Sequence, residues 1–80
     1  MSTKQNPGPF DCYAKLAPDE PYFVLRAKDP IAPEVVELWV ALRKALHGDY
    51  PKLAEARACA EAMRRWRAAN PVAEPLPAQD

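Results

Sequence analysis

The sequence predicts an all-α or nearly all-α fold, organised around one helical hairpin. Two periodic segments, at about residues 30–47 and 50–69, carry apolar side chains at the i, i+3, i+4, i+7 spacing of a helix that buries one stripe. Gly48-Asp49 separates them, so the two helices are expected to turn back on each other. An N-terminal segment, extended or briefly helical, is expected to pack on this hairpin in an oligomeric assembly.

The first helix carries two apolar stripes. Outside the main one, Val36 and Val40 share a stripe with Arg43 and His47, which is apolar at its start and basic at its end. This second stripe needs a partner of its own, either the N-terminal segment, another subunit or a ligand. The main stripe, expected to form the hairpin core, consists of Val35, Leu38, Trp39, Leu42, Ala45 and Leu46.

The ends of both helices carry recognisable signals. Asp29 can cap the first helix, with a proline in its first turn, and Gly48 provides a left-handed stop. Asp49 can cap the second helix, which again has a proline in its first turn and ends at Asn70-Pro71. The arc that the second helix is expected to bury consists of Leu53, Ala56, Cys59, Ala60, Met63 and Trp66.

The chain divides into one small helical domain, residues 11–70, and two tails. Residues 1–10 contain prolines and a glycine without periodicity and are expected to be mobile. Residues 71–80 contain three prolines and are expected to be extended or disordered.

Residues 22–28 are ambiguous, because their seven side chains fit either an alternating strand or a turn or two of helix. As a strand, this segment would have no other segment of the chain to pair with. Its partner would then be the same segment of another subunit, with Phe23 at the interface.

The composition favours self-association. The chain has 80 residues and is 49% hydrophobic, but fifteen of its residues are alanines, so large core side chains are scarce. A core of this size supplies only about 3–5 kcal/mol. A homo-oligomer is therefore expected.

Charge and composition also exclude several classes of partner and location. The formal net charge is zero, which disfavours binding to duplex nucleic acid or to an anionic membrane. No run is long enough to span a membrane, and the N-terminus has no apolar signal region. The two cysteines are therefore expected to be reduced thiols in a cytoplasmic protein.

An enzyme is not expected. The sequence has one serine, Ser2, and one threonine, Thr3, and both lie in the N-terminal tail, so a serine or threonine nucleophile is not expected. With two glycines the chain has no glycine-rich phosphate loop, and His47, the single histidine, has no other metal ligand at a suitable spacing. Neither a metal nor another cofactor is predicted.

The segment from Asp19 to Pro33, followed by Val35-Val36 and Trp39, resembles a group of short uncharacterised proteins encoded by tailed phages and prophages. Their pattern reads roughly E-P-x-F-x-L-R-A-x-D-x-x-A-P-x-x-V-x-x-W. The similarity extends over about residues 19–67. It implies a phage accessory protein that works in the host cytoplasm, and it implies no catalytic residue.

Two functions are compatible with these features. The first is to counter a host process by sequestering a small anionic ligand, such as a signalling nucleotide, between subunits. Cations would bind the phosphate charge and an aromatic ring would stack on the base. The second is to mask a host or phage protein through an apolar helix face formed by Val36 and Val40. The residues expected to bind the ligand are Tyr13, Tyr22, Arg26, Lys28, Trp39, Arg43 and His47.

Overall fold

Two helices that fold back on each other form the centre of the structure, a computed structural model that describes residues 3–8 and 13–71. Helix α1 comprises Ala32–His47 and helix α2 comprises Pro51–Ala69, and the two pack along their length. A single 3-10 turn at Tyr13–Lys15 precedes them, and the described residues contain no strand. The predicted helical hairpin is confirmed.

Helix α1 begins two residues later than predicted. Asp29 does not cap it; its carboxylate instead accepts a hydrogen bond of 3.0 Å from the backbone N–H of Ile31, within the turn that leads into the helix. Pro33 lies in the first turn, where the backbone N–H groups have no partner within the helix. The helix ends at His47. The C-cap residue is Gly48, whose N–H donates to the carbonyl of Lys44 and whose φ of +75° lies in the region that favours glycine.

Helix α2 begins at Pro51, one residue later than predicted, and its cap differs from the predicted one. Tyr50 is the N-cap residue in an extended conformation and makes no capping hydrogen bond with its side chain. Asp49 was expected in this role, but its carboxylate lies 3.5 Å from the guanidinium of Arg57. The carboxylate is therefore directed toward a cation on α2 rather than toward the first backbone N–H groups.

The hairpin core is small. Val40, Leu53 and Ala56 are buried together, and Val36, Trp39 and Tyr50 pack against them. Among the described residues Leu53 is the one large side chain that is fully buried. Two of the three buried residues of α2 are alanines, Ala56 and Ala60, so α2 presents small side chains to α1 at these positions.

Of the stripe that was predicted to form the core of α1, Trp39 packs against the core, whereas its leucines lie on the outside. Leu38, Leu42 and Leu46 are exposed, whereas Val40, from the stripe that was expected to need another partner, is buried against α2. Both stripes are apolar, so periodicity alone does not distinguish them. The narrow valines pack against the alanine-rich face of α2, and the bulkier leucines are left on the opposite side of the helix.

The prediction for α2 is correct for its first half. Leu53, Ala56 and Ala60 are buried, and Cys59 is half-buried. Trp66, which was expected to anchor the core, is 47% exposed. At the end of the hairpin away from the turn, the buried apolar residues are the small Ala32 and Pro33 of α1, and Met63 of α2 is half-buried.

Residues 21–26 form neither a helix nor a strand within this chain. A turn over residues 26–29 follows, and the guanidinium of Arg67 donates a hydrogen bond to the carbonyl of Lys28. This bond ties the end of the segment to the last turns of α2. Residues 3–6 form a hydrogen-bonded turn, and most of the predicted C-terminal tail, residues 72–80, lies outside the described residues.

Candidate functional site

Two cations converge on the indole ring of Trp39. The guanidinium carbon of Arg43, one helical turn further along α1, lies 5.6 Å from the ring centroid. The ammonium nitrogen of Lys52, in the first turn of α2, lies 5.8 Å from it. Both distances are in the range of cation–π attraction. We refer to Trp39, Arg43 and Lys52 as the tryptophan cluster.

The tryptophan cluster is electropositive. In residues 3–8 and 13–71, no carboxylate forms an ion pair with Arg43 or Lys52. The indole attracts the two cations through its quadrupole without neutralising them. Their full charges therefore remain available to an anion at the surface.

Arg64, in contrast, is held by acidic side chains. Its guanidinium donates two hydrogen bonds to the carboxylate of Glu37, at 2.6 and 2.7 Å, and a third to Glu61 at 2.8 Å. The bidentate pair lowers the pKa of Glu37 and raises the pKa of Arg64. This arginine links α2 to α1 and has little remaining capacity for a ligand.

Of the seven predicted ligand-binding residues, Trp39 and Arg43 are brought together by the helix. Tyr13 and Tyr22 form a separate pair, with ring centroids 6.0 Å apart in an edge-to-face arrangement, and both rings are exposed. His47 is exposed at the end of α1. The residues that were predicted to form one ligand site therefore lie at separate places in the structure.

Arg26 and Lys28 belong to the turn before α1. The carbonyl of Arg26 accepts the N–H of Asp29 at 3.0 Å, and the carbonyl of Lys28 accepts from Arg67. Lys28 thus lies beside the last turns of α2, at the end of the hairpin opposite the turn, whereas Lys52 lies next to the turn. The predicted convergence of these cations with Arg43 is not observed within one chain.

Lys52 was missed in the sequence. Its position directly after Pro51 could have indicated this contact. In a hairpin with a short turn, the first residues of the second helix lie beside the last turns of the first helix. An aromatic residue on α1 was therefore within reach of a long side chain from the start of α2.

A continuous apolar surface covers the side of α1 that faces away from α2. Its large side chains are between 37% and 73% exposed and follow one another at spacings of four, three, four and four residues. We call this surface the α1 outer face; it consists of Ile31, Val35, Leu38, Leu42 and Leu46.

The predicted interface residues need correction. Val40 is 4% exposed and Val36 packs against the same core, so the hairpin itself covers the surface that was expected to bind another protein. Phe23 is 77% exposed, and its role at an interface stays a prediction. The α1 outer face takes the place of the valine stripe as the candidate protein-binding surface.

Two open grooves lie along the hairpin. One, of about 570 Å³, is lined by three prolines, Glu34, Ala68 and the guanidinium-bearing residues Arg64 and Arg67. The other, of about 450 Å³, lies between the helices and includes Glu37, Lys44, Arg57 and Glu61. In the first groove Arg64 is held by Glu37 and Glu61, and Arg67 donates to the carbonyl of Lys28. In the second groove two glutamates balance Lys44 and Arg57, which makes it a poor site for an anion.

A further reactive group among the described residues is the half-buried thiol of Cys59. Burial raises the pKa of the Cys59 thiol, which lowers its reactivity as a nucleophile. Among the described residues, no three His, Cys, Asp or Glu side chains are placed to hold a metal ion. Neither described helix is long and apolar enough to cross a membrane.

Comparison with known proteins gives no relative. No protein-family model, curated protein or solved structure matches the chain. The functional argument therefore rests on the tryptophan cluster and the α1 outer face.

Proposed function

We propose that this protein is a small non-enzymatic binding protein that captures a small anionic ligand, such as a nucleotide, at the tryptophan cluster. The observation that supports the proposal is that Arg43 and Lys52, from two different helices, meet at Trp39 without a carboxylate partner among the described residues. In the phage context suggested by the sequence resemblance, capture would withdraw a signalling nucleotide from the host.

The arrangement favours phosphate binding for a physical reason. Arg43 and Lys52 can each donate charge-assisted hydrogen bonds to phosphate oxygens, and the guanidinium can do so in a bidentate manner. The indole already restrains both side chains through cation–π contacts. Less side-chain entropy is then lost on binding than for two freely rotating cations.

The proposal is tested by calorimetric titration with linear and cyclic nucleotides and with inorganic pyrophosphate. Arg43→Gln and Lys52→Gln should each weaken binding roughly tenfold to a hundredfold, because a charge-assisted contact is worth about 1.5–3 kcal/mol. Arg65→Gln is the matched control, since Arg65 is an exposed cation of α2 outside the cluster. The absence of a response to every probe, or an equal loss in the control, would contradict the proposal.

A second candidate function is the masking of a host or phage protein through an apolar helix face. The observation that favours it is the α1 outer face, with five large apolar side chains exposed in one row. In a phage-protection assay, Leu42→Glu would abolish a masking effect and Arg43→Gln would not. The opposite result would favour ligand capture.

A further inference from the structure

We infer that the tryptophan cluster recognises two adjacent phosphate groups and does not read a base, which rests on the proposed function and names its ligand class. The ligands are then diphosphate compounds: nucleoside diphosphates and triphosphates with any base, and inorganic pyrophosphate. Three features of the hairpin support this class. They are the occupied indole of Trp39, the side chains available beside it, and the two cations from different helices.

The indole of Trp39 is already in use. It is half-buried and packs against the hairpin core, and the cations of Arg43 and Lys52 lie over it, 5.6 and 5.8 Å from the ring centroid. A stacked base lies in van der Waals contact with a ring, at about 3.5–4 Å between carbon atoms. On a ring face that carries a cation, a base can reach that distance only by displacing the cation. The indole therefore serves to hold the charges that bind the ligand.

The hairpin offers few groups that recognise the edge of a base. Residues 32–69, which comprise both helices and the turn, contain no Asn, Gln, Ser or Thr, the neutral side chains that pair with base edges. The carboxylate of Asp49 in the turn lies 3.5 Å from the guanidinium of Arg57. Tyr13 and Tyr22, which were expected to contact a base, contact each other. The cations of the cluster therefore provide the recognition.

Two cations on two helices suit two phosphate groups. Neither Arg43 nor Lys52 has a carboxylate partner in residues 3–8 and 13–71, so both charges remain to be matched by a ligand. A bidentate guanidinium uses two oxygens of one phosphate group. The ammonium, which comes from the other helix, then binds the adjacent phosphate group. A cyclic mononucleotide has a single phosphodiester charge and leaves one of the cations without an anion.

Calorimetric titration of the wild-type protein tests this ligand class without any variant. The diphosphates of adenosine, guanosine, cytidine and uridine should bind within about threefold of one another, and ribose 5-diphosphate, the matched ligand without a base, should bind equally well. Cyclic mononucleotides should bind about tenfold to a hundredfold more weakly, because they lack the second phosphate contact. A base stacked on Trp39 would instead make each nucleoside diphosphate about tenfold to a hundredfold tighter than ribose 5-diphosphate.

Trp39→Leu distinguishes the two possible roles of the indole. If the ring holds the cations, the change should weaken adenosine diphosphate and pyrophosphate by the same factor, about twofold to fivefold. If the ring stacks a base, adenosine diphosphate alone should be affected. Trp66→Leu is the matched control, since Trp66 is 47% exposed near the far end of α2, and it should change neither affinity. Circular dichroism verifies the helices, and the wild-type ligand series decides alone if Trp39→Leu does not fold.

Two results would overturn the inference and leave the proposed function standing. One is a preference of about tenfold or more for one base or for ligands with a base, and the other is tight binding of a cyclic mononucleotide. A guanine preference that Arg43→Gln abolishes would show that the guanidinium reads a base edge. Pyrophosphate that binds more tightly than every nucleotide would support the diphosphate class and identify an inorganic ligand. No response to any of these ligands would contradict the proposed function as well.

Discussion

Val40 and Leu38 are two residues apart on α1 and point to opposite sides of the hairpin. Val40 is 4% exposed and packs with Leu53 and Ala56, whereas Leu38 is 59% exposed on the outer face. One side chain therefore stabilises the single chain, and the other is available to a partner. Substitutions at the two positions should be distinguishable by how their effects depend on protein concentration.

Val40→Ala should lower the free energy of unfolding by about 1.5–3 kcal/mol at every protein concentration, because it removes two buried methyl groups and leaves a cavity. A homo-oligomer that covered the α1 outer face would lose contacts in Leu38→Ala, so the effect of this variant should grow with protein concentration. Urea unfolding at several concentrations measures both. Equal, concentration-independent losses would show that Leu38 is part of the core of the single chain.

Gly48 should be difficult to replace by an L-amino acid. Its φ of +75° and ψ of −178° lie in a region that is almost restricted to glycine, although no atom within 4 Å would contact an added Cβ. Gly48→Ala should therefore cost about 1–3 kcal/mol from backbone strain alone. The chain is short enough for chemical synthesis, and D-alanine at position 48 is the matched control. It should preserve the wild-type melting temperature, and equal losses for both residues would contradict the strain argument.

The ion pair between Glu37 and Arg64 should stabilise the hairpin at neutral pH and not in acid. Arg64 lowers the pKa of Glu37 in the folded chain, so the folded state binds fewer protons than the unfolded state as the pH falls. The ion pair therefore makes its full contribution to the free energy of unfolding above about pH 4.3, where an unfolded glutamate titrates. This contribution is lost as the pH falls through the lower pKa of Glu37 in the folded chain.

Melting temperatures of wild type and Glu37→Gln between neutral and strongly acidic pH test this pair. Wild type should melt higher at neutral pH, and the two should converge in acid, because a protonated glutamate resembles glutamine. Arg64→Gln should show the same reduced dependence on pH. A difference between wild type and Glu37→Gln that is constant with pH would exclude the charged pair as its source.

The hairpin was predictable because its signals are local. Apolar periodicity identified both helices, and Gly48 and Pro51 located the turn to within two residues. Which stripe of α1 faces α2 was not predictable in the same way. That choice depends on the shape of the opposite helix, whose alanines accommodate Val40 and leave Leu42 outside. Shape complementarity between two helices does not appear as a periodic pattern in the sequence of either one.

The candidate site was predictable in part for a similar reason. Trp39 and Arg43 are four residues apart on one helix, so their proximity follows from helix geometry. Lys52 joins them from α2, and Tyr13 pairs with Tyr22 instead of joining them. Both of these contacts are tertiary, and the position of a side chain across a turn depends on the packing of the helices.

The last prediction concerns the energy that holds Arg43 on the indole. A double-mutant cycle with Trp39→Leu and Arg43→Met should give a coupling of about 0.5–1 kcal/mol in the free energy of unfolding, the value of a cation–π pair at an exposed site. Methionine keeps the length of the side chain and removes the charge. The control cycle pairs Trp39→Leu with Arg65→Met and should show no coupling, because Arg65 is exposed on α2 outside the cluster. Should the two cycles agree within error, Arg43 is not restrained by Trp39, and the preordered anion site proposed for this protein loses its physical basis.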